Sequence, residues 1–164
     1  MTNAKTPITP SDPPALIAAL RALNNAHAEE LSWLDAGALE RLAAGAFAAW
    51  RIGDAEAFLL AFDQDADYDS PNFLWFRSRY RDYVYVDRVV VAREARGRGH
   101  ARSLYSDLFD EARRAGRPRI VCEVNCDPPN PASDAFHAAL GFVEVGRAAI
   151  HGGRKTVRYL ERPL

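Results

Sequence analysis

The residues best suited to chemistry begin at Arg96-Gly97-Arg98-Gly99-His100-Ala101. This stretch follows an all-apolar, β-branched run, Val89-Val90-Val91, and precedes Leu104, Leu108 and Phe109 at helical spacing. It therefore reads as a buried strand, a glycine turn and a helix start. Glycine lets a turn point successive backbone N–H groups into one concavity. The first N–H groups of a helix have no intrahelical partner, and the helix dipole favours negative charge there. A pyrophosphate suits such a cradle. A dinucleotide fingerprint of the Rossmann kind fits badly, because Arg102 stands where a third glycine is expected and no helix–strand repeat surrounds the unit. A Walker-type loop is excluded, since no Lys-Ser or Lys-Thr follows the glycines. Taken alone, the same residues also describe a plain solvated strand-to-helix turn.

The elements around this turn follow from pattern. Pro13 and Pro14 suit the first turn of a helix capped by Ser11 or Asp12, with Leu16, Ile17, Leu20 and Leu23 as its apolar stripe. A second helix is expected over residues 35–46, capped by Asp35, with Leu39, Leu42 and Ala43 buried. Residues 47–52 and 57–62 read as strands joined across Gly53-Asp54. From 63 to 80 the periodicity disappears, leaving an acidic run (Asp63, Asp65, Asp67, Asp69), then Asn72, Phe73, Trp75 and Phe76, then Arg77, Arg79 and Arg81. A loop this long in a compact domain is usually functional or mobile, so Trp75 and Phe76 are expected to contact an acceptor substrate. Its other reading is an acidic turn plus an aromatic anchor. A strand over 84–91, a helix over 100–115 stopped by Gly116 and a strand over 120–125 follow. Pro128, Pro129 and Pro131 precede a short helix over 132–140, and a hairpin of strands 143–150 and 156–160 ends the chain.

Composition narrows the function classes. At 164 residues the chain is expected to form a single domain, 1–164, burying roughly 70% of its unfolded surface. A net charge of −1 with dispersed arginines gives no basic field, so nucleic acid is not an expected partner. Residues 1–14 are polar and proline-rich and no apolar run reaches membrane length, so a cytoplasmic protein without a membrane partner is expected. Cys122 and Cys126, the only two cysteines, match neither a disulfide framework nor a zinc site, and no metal is expected.

The second informative stretch is Asn130-Pro131-Ala132-Ser133-Asp134-Ala135-Phe136-His137-Ala138-Ala139-Leu140-Gly141-Phe142. With Arg96-x-x-Gly99-x-Ala101 upstream, it resembles the GCN5-related N-acetyltransferases, the GNAT family, as a small bacterial-type member. That family's first motif is Gln or Arg-x-x-Gly-x-Gly or Ala, and its second is an Asn, a short helix and a closing Gly-Phe. The resemblance is specific from Val84 to Phe142 and looser elsewhere. It implies a mixed α/β fold whose central strands, here 84–91 and 120–125, splay apart in a sheet flanked by helices. It implies acetyl-CoA as cosubstrate, its pyrophosphate on Arg96, Gly97, Arg98, Gly99, His100 and Ala101, and its pantetheine arm paired with backbone at Val89 and Val91 and touched by Asn130. A strand gap offers unpaired N–H and C=O groups, and pantetheine carries two amides that satisfy them.

The resemblance also implies catalytic candidates. Asp87, four before Val91, matches a position where several members carry a glutamate thought to take a proton through water; the shorter side chain argues against direct abstraction, and an ion pair with an arginine is the alternative. Alternation puts Tyr85 and Asp87 on one side of the strand and Val84, Val86 and Arg88 on the other. His137 falls seven after Asn130, where many members carry a tyrosine proposed to protonate the leaving thiolate. Tyr105, Cys126 and Ser133 are lesser alternatives. The reading is an N-acetyltransferase working by direct transfer to a primary amine of a small molecule, the acidic run favouring a polycation and the three arginines favouring an amino acid-like acceptor. Its rivals are a protein N-terminus or lysine as acceptor, and a non-catalytic acyl-CoA sensor. A homodimer is the expectation by family analogy.

Overall fold

The computed structural model describes residues 4–164, so the first three residues of the expected domain lie outside the described residues. Seven strands form one sheet in the order β1-β2-β3-β4-β5-β7-β6. They are β1 (Lys5–Pro7), β2 (Ala48–Ile52), β3 (Ala57–Asp63), β4 (Val84–Val91), β5 (Arg119–Asp127), β6 (Val143–Ile150) and β7 (Lys155–Pro163). Five α-helices flank them: α1 (Pro14–Asn25), α2 (Ala38–Gly45), α3 (Pro71–Arg77), α4 (His100–Arg114) and α5 (Pro131–Ala139). The expected mixed α/β fold is present, with β4 and β5 the parallel pair.

Three elements differ from the sequence reading. Strand β1 was not expected in a proline-rich start, yet it is an edge strand, where Pro7 interrupts no ladder. Helix α2 starts at Ala38 rather than Asp35 because Gly37 turns left-handed at φ 81°, a conformation no helix interior holds. Segment 63–80 is not a bare loop. Pro71 opens the seven-residue α3, which buries Phe73 and Phe76 on one face, too short a run for a helical period to register.

Two faces of the sheet are packed. Leu104, Tyr105, Leu108 and Phe109 of α4 meet Leu59, Val84, Val86, Ile120 and Cys122 in one core. Opposite them, Leu20 of α1 and Leu39 of α2 pack on Phe58, Leu60 and Val90. Beside that second core, Phe73 and Phe76 of α3 pack on Tyr83, Tyr85 and Tyr159. Strands β4 and β5 pair only at Val84↔Ile120 and Tyr85↔Val121 and then diverge. The gap they open holds the site.

Candidate active site

The cofactor side of the gap is made by backbone. Gly97 and Gly99 both take positive φ, 80° and 79°, which places the N–H groups of the turn and of the start of α4 around one hollow. A Cβ at Gly97 would meet nothing within 4 Å. That hollow belongs to a cavity of about 470 Å³ lined by Val89, Val91, Arg96, Gly97, Gly99 and His100, with Ala101 and Asn130 also on its wall. The sequence-predicted cofactor residues are therefore brought together, apart from Arg98, which is directed to Glu56 and the carbonyl of Glu94. Arg96 meets His27 Nε2 at 3.3 Å, tying the turn to the end of α1. His100 is buried, its Nε2 3.0 Å from Glu56 and its Nδ1 without a partner. Asn130 caps α5 by accepting the Ser133 N–H at 3.3 Å. Open glycine space, a helix start and an unpaired strand edge beyond Tyr85 fit a diphosphate joined to an amide-bearing arm.

A second cavity, of about 540 Å³, lies further along the gap. Val89, Asn130, Ser133 and His137 line both cavities and so mark where they meet. At this junction His137 Nδ1 lies 2.7 Å from the carbonyl of Ser133, an acceptor only, so Nδ1 carries the proton and Nε2 accepts the Tyr105 hydroxyl at 2.8 Å. Burial pushes the His137 pKa down, so the ring is neutral near pH 7, and burial likewise pushes the Tyr105 hydroxyl up. Both nitrogens of the expected proton donor are thus engaged. Tyr105, a lesser candidate from sequence, is its partner.

Asp87 lies on the wall of the second cavity, where its carboxylate is already committed. Arg88 Nε donates to Oδ2 at 2.6 Å and the Tyr68 hydroxyl donates to Oδ1 at 2.6 Å. The expected alternation fails here. Leu60 opposes Arg88 while Ala61 opposes Val86, so Asp87 is the extra residue of a β-bulge and adjacent residues share a face. The two side chains are only 5% and 4% exposed, so this is a buried ion pair. Arg88 continues to Asn24 Oδ1 at 3.0 Å and to the carbonyl of Ser32 at 3.2 Å.

The residue that sequence reasoning missed is Glu123. It lines the second cavity from β5, with Oε1 accepting the Tyr85 hydroxyl and the Asn72 amide, both at 3.0 Å. Asn72 is held in turn by the Tyr159 hydroxyl at 2.9 Å. The other oxygen, Oε2, is buried without a partner. Burial raises the carboxyl pKa to about 8, against which the Tyr85 hydrogen bond works only in part. The signal available in the sequence was a single charged residue inside the otherwise apolar run Ile120-Val121-Cys122-Glu123-Val124.

Trp75 and Phe76, expected to contact an acceptor, pack within the fold and are not on the wall of either cavity. Phe76 is fully buried, and Trp75 stacks on Tyr159 at 4.0 Å and fills the space over Gly146. Their segment sends Tyr68, Ser70 and Asn72 into the cavity instead. The acidic run also stays outside it: Asp63 pairs with Arg117 at 3.0 Å, and Asp65, Asp67 and Asp69 are not on its wall. Arg77 lies over Phe73 and Arg79 over Trp75, so neither faces the cavity. Among the described residues, no group of three or more His, Cys, Asp or Glu could hold a metal ion, and no helix is long and apolar enough to cross a membrane.

Comparisons with known proteins agree with this architecture. No curated protein matches the sequence. A ribosomal-protein-alanine N-acetyltransferase from Brucella melitensis is 22% identical, with 98% of this chain and 99% of that one covered and a TM-score of 0.69. A Salmonella typhimurium protein solved with its cofactor acetyl-CoA is 20% identical over 100% of this chain and 95% of that one, TM-score 0.70. An IAA acetyltransferase from Bacillus cereus ATCC 14579 is 11% identical, over 98% of this chain and 99% of that one, TM-score 0.64. These likenesses establish the fold. The model of the acetyltransferase (GNAT) family matches residues 16–142, spanning both motifs and every strand of the gap, and the chain therefore belongs to the GNAT family of N-acetyltransferases.

Proposed function

We propose that the protein moves an acetyl group from acetyl-CoA directly to a primary amine of a small molecule, with Glu123 as the proton acceptor. The observation that carries this is Glu123 on the wall of a cavity continuous with the glycine turn, its Oε1 held by Tyr85 and Asn72 and its buried Oε2 without a partner. Such an oxygen suits an ammonium, which satisfies it electrostatically and donates a proton to it. A carboxyl with a pKa near 8 is better matched to an amine than an ordinary carboxylate. The bound cosubstrate supplies an activated acetyl thioester. Gly97, Gly99, His100 and Ala101, with Arg96 beside them, would hold its diphosphate, while Val89, Val91 and Asn130 would hold its arm.

At the junction, the Tyr105 hydroxyl, hydrogen-bonded to His137 Nε2, would supply the proton that the leaving thiolate takes up. His137 sets its direction, and Ser133 fixes His137. Asp87 acts through structure, fixing Tyr68 and neutralising Arg88. The relatives include a ribosomal-protein-alanine N-acetyltransferase and an IAA acetyltransferase, and the choice of a small acceptor rests on the volume of the cavity, about 540 Å³. Thiol release from acetyl-CoA with a panel of amines tests the reading. A saturable, amine-dependent rate is the expected result; coenzyme A binding without release for any amine would make the protein an acyl-CoA sensor.

A further inference from the structure

The rim of the acceptor cavity carries a side chain that packing does not explain. Trp33 lies on the wall of the cavity yet is 64% exposed and belongs to none of the buried clusters. Its backbone is nevertheless held on both sides. The carbonyl of Ser32 accepts Asn24 Nδ2 at 2.9 Å and Arg88 Nη1 at 3.2 Å. Leu34 donates its N–H to Asn25 Oδ1 at 2.8 Å and accepts Asn25 Nδ2 at 3.0 Å. Asn24 and Arg88 are buried, so a polar network inside the protein fixes a loop whose central indole projects outward. A large apolar surface presented by a fixed backbone at a cavity mouth is the arrangement of a recognition contact.

Part of the rim has the same character. Ala28 and Leu31 stand beside Trp33 on the 26–34 segment, and Ile150 faces them from the end of β6. Lys155 closes the two sides together by donating to the carbonyl of Glu29 at 3.4 Å. The floor is different, with Glu123, Asn72 and Tyr85 supplying hydrogen-bonding groups around one unpartnered carboxylate oxygen. The cations on the wall are Arg88, spent on Asp87 and the loop, and Lys155, held at Glu29, with His151 at the exposed edge. Of the acids, Asp87 is neutralised and Glu30 sits exposed at the rim.

We infer that the acceptor is an amphiphilic primary amine, its ammonium on Glu123 and an apolar body against Trp33. This rests on the acetyltransferase reading above. It excludes as preferred acceptors both classes that the sequence suggested. A polyamine would leave its second charge beside Trp33 with the exposed, solvent-screened Glu30 to meet it, and an amino acid would bring a carboxylate near Glu123. A free amine and a peptide terminus beginning with an apolar residue present the same chemistry.

Calorimetry on the protein saturated with coenzyme A tests this without turnover. The probes are 2-phenylethylamine, spermidine, phenylalanine and an amidated peptide beginning with phenylalanine. The expected result is that 2-phenylethylamine or the peptide binds at least roughly tenfold more tightly than spermidine and phenylalanine, the tighter of the two identifying the source. Trp33→Ala should weaken that binding about tenfold and raise the acceptor KM with little change in kcat, and Trp33→Phe should restore most of it. Equal or tighter binding of spermidine or phenylalanine, or unchanged selectivity in Trp33→Ala, overturns the inference. Failure of wild-type protein to bind coenzyme A would instead overturn the acetyltransferase reading.

Discussion

The two sides of the gap are built from different material. On the cofactor side the contacting groups are backbone: a glycine turn, the first turn of α4 and the unpaired edge of β4. On the acceptor side they are side chains from four separate elements, Asn72 on α3, Tyr85 on β4, Glu123 on β5 and Tyr159 on β7. Backbone donors survive every substitution except proline, and are otherwise only blocked or bent. A side-chain network can be taken apart one atom at a time, and each loss leaves another buried group unsatisfied. The cofactor side is therefore expected to fail through steric or charge intrusion, and the acceptor side through loss of a titrating or orienting group.

The largest effect is expected from intrusion at the turn. Gly97→Glu would place a carboxylate in the hollow, and no atom within 4 Å of the new Cβ stands in its way. The positive φ at Gly97 adds roughly 1 kcal/mol of backbone strain, which Gly97→Ala shares, so alanine serves as the control. Coenzyme A affinity should fall by roughly 10³-fold in the glutamate variant and much less in the alanine one, read by calorimetry. Equal losses would attribute the effect to strain and leave the hollow without a diphosphate.

Next comes the carboxylate. Glu123→Gln keeps an oxygen that accepts from Asn72 and Tyr85 but cannot take a proton, so turnover should fall roughly 10²-fold while coenzyme A binding is unchanged. The active form is the deprotonated one, so the wild-type rate should rise with pH through about 8, and this inflection should vanish in the variant. Stability should move the other way. Because burial holds the proton to about 8 against an ordinary 4.5, the folded state binds more protons than the unfolded one between these values. Wild-type stability then falls as pH rises across that window. Melting temperatures should show Glu123→Gln gaining on wild type at pH 8.5 relative to pH 5.

What could be read from the sequence divides along the same line. The cradle was legible because its demands are local: two glycines, a β-branched run before them and a helix pattern after them. Asn130 was legible for the same reason, as the first residue of a short helix with fixed spacing to Gly141 and Phe142. Glu123 was not, because its pKa is raised by burial that one strand cannot announce, and the hydrogen bonds that work against that shift come from Tyr85, 38 residues away, and Asn72, 51 residues away. Asp87 was placed on the right strand, but a bulge is a one-residue irregularity that strict alternation cannot anticipate. Trp75 and Phe76 misled because aromatic residues in an aperiodic stretch read as a binding loop when no helix is long enough to register.

A smaller effect is expected at the junction. Tyr105→Phe removes the hydroxyl that His137 Nε2 accepts and should lower kcat roughly tenfold with coenzyme A affinity intact. His137→Asn leaves Tyr105 its proton but not its direction, and a loss of similar size would make the two a unit. If only His137→Asn slows the reaction, the imidazole itself serves the departing sulfur.

The smallest effect is expected where Tyr68 meets Asp87, and it decides whether Asp87 carries a proton or a structure. Asp87→Asn is a blunt test, because it leaves Arg88 buried beside a neutral group at a cost of roughly 3 kcal/mol or more, and lost folding would masquerade as lost catalysis. Tyr68→Phe is cleaner. It removes one hydrogen bond to Oδ1 and leaves the ion pair with Arg88 in place. Losing that bond should cost about 1 kcal/mol of stability, seen in denaturant unfolding. If Asp87 is a strut, kcat should stay within about threefold of wild type and the pH profile should keep its inflection near that of Glu123. If Asp87 takes the proton, deleting a donor to its carboxylate should change kcat well beyond about threefold. A kcat change of that size in Tyr68→Phe, with the Glu123→Gln rate and pH profile unchanged from wild type, would return the proton to Asp87.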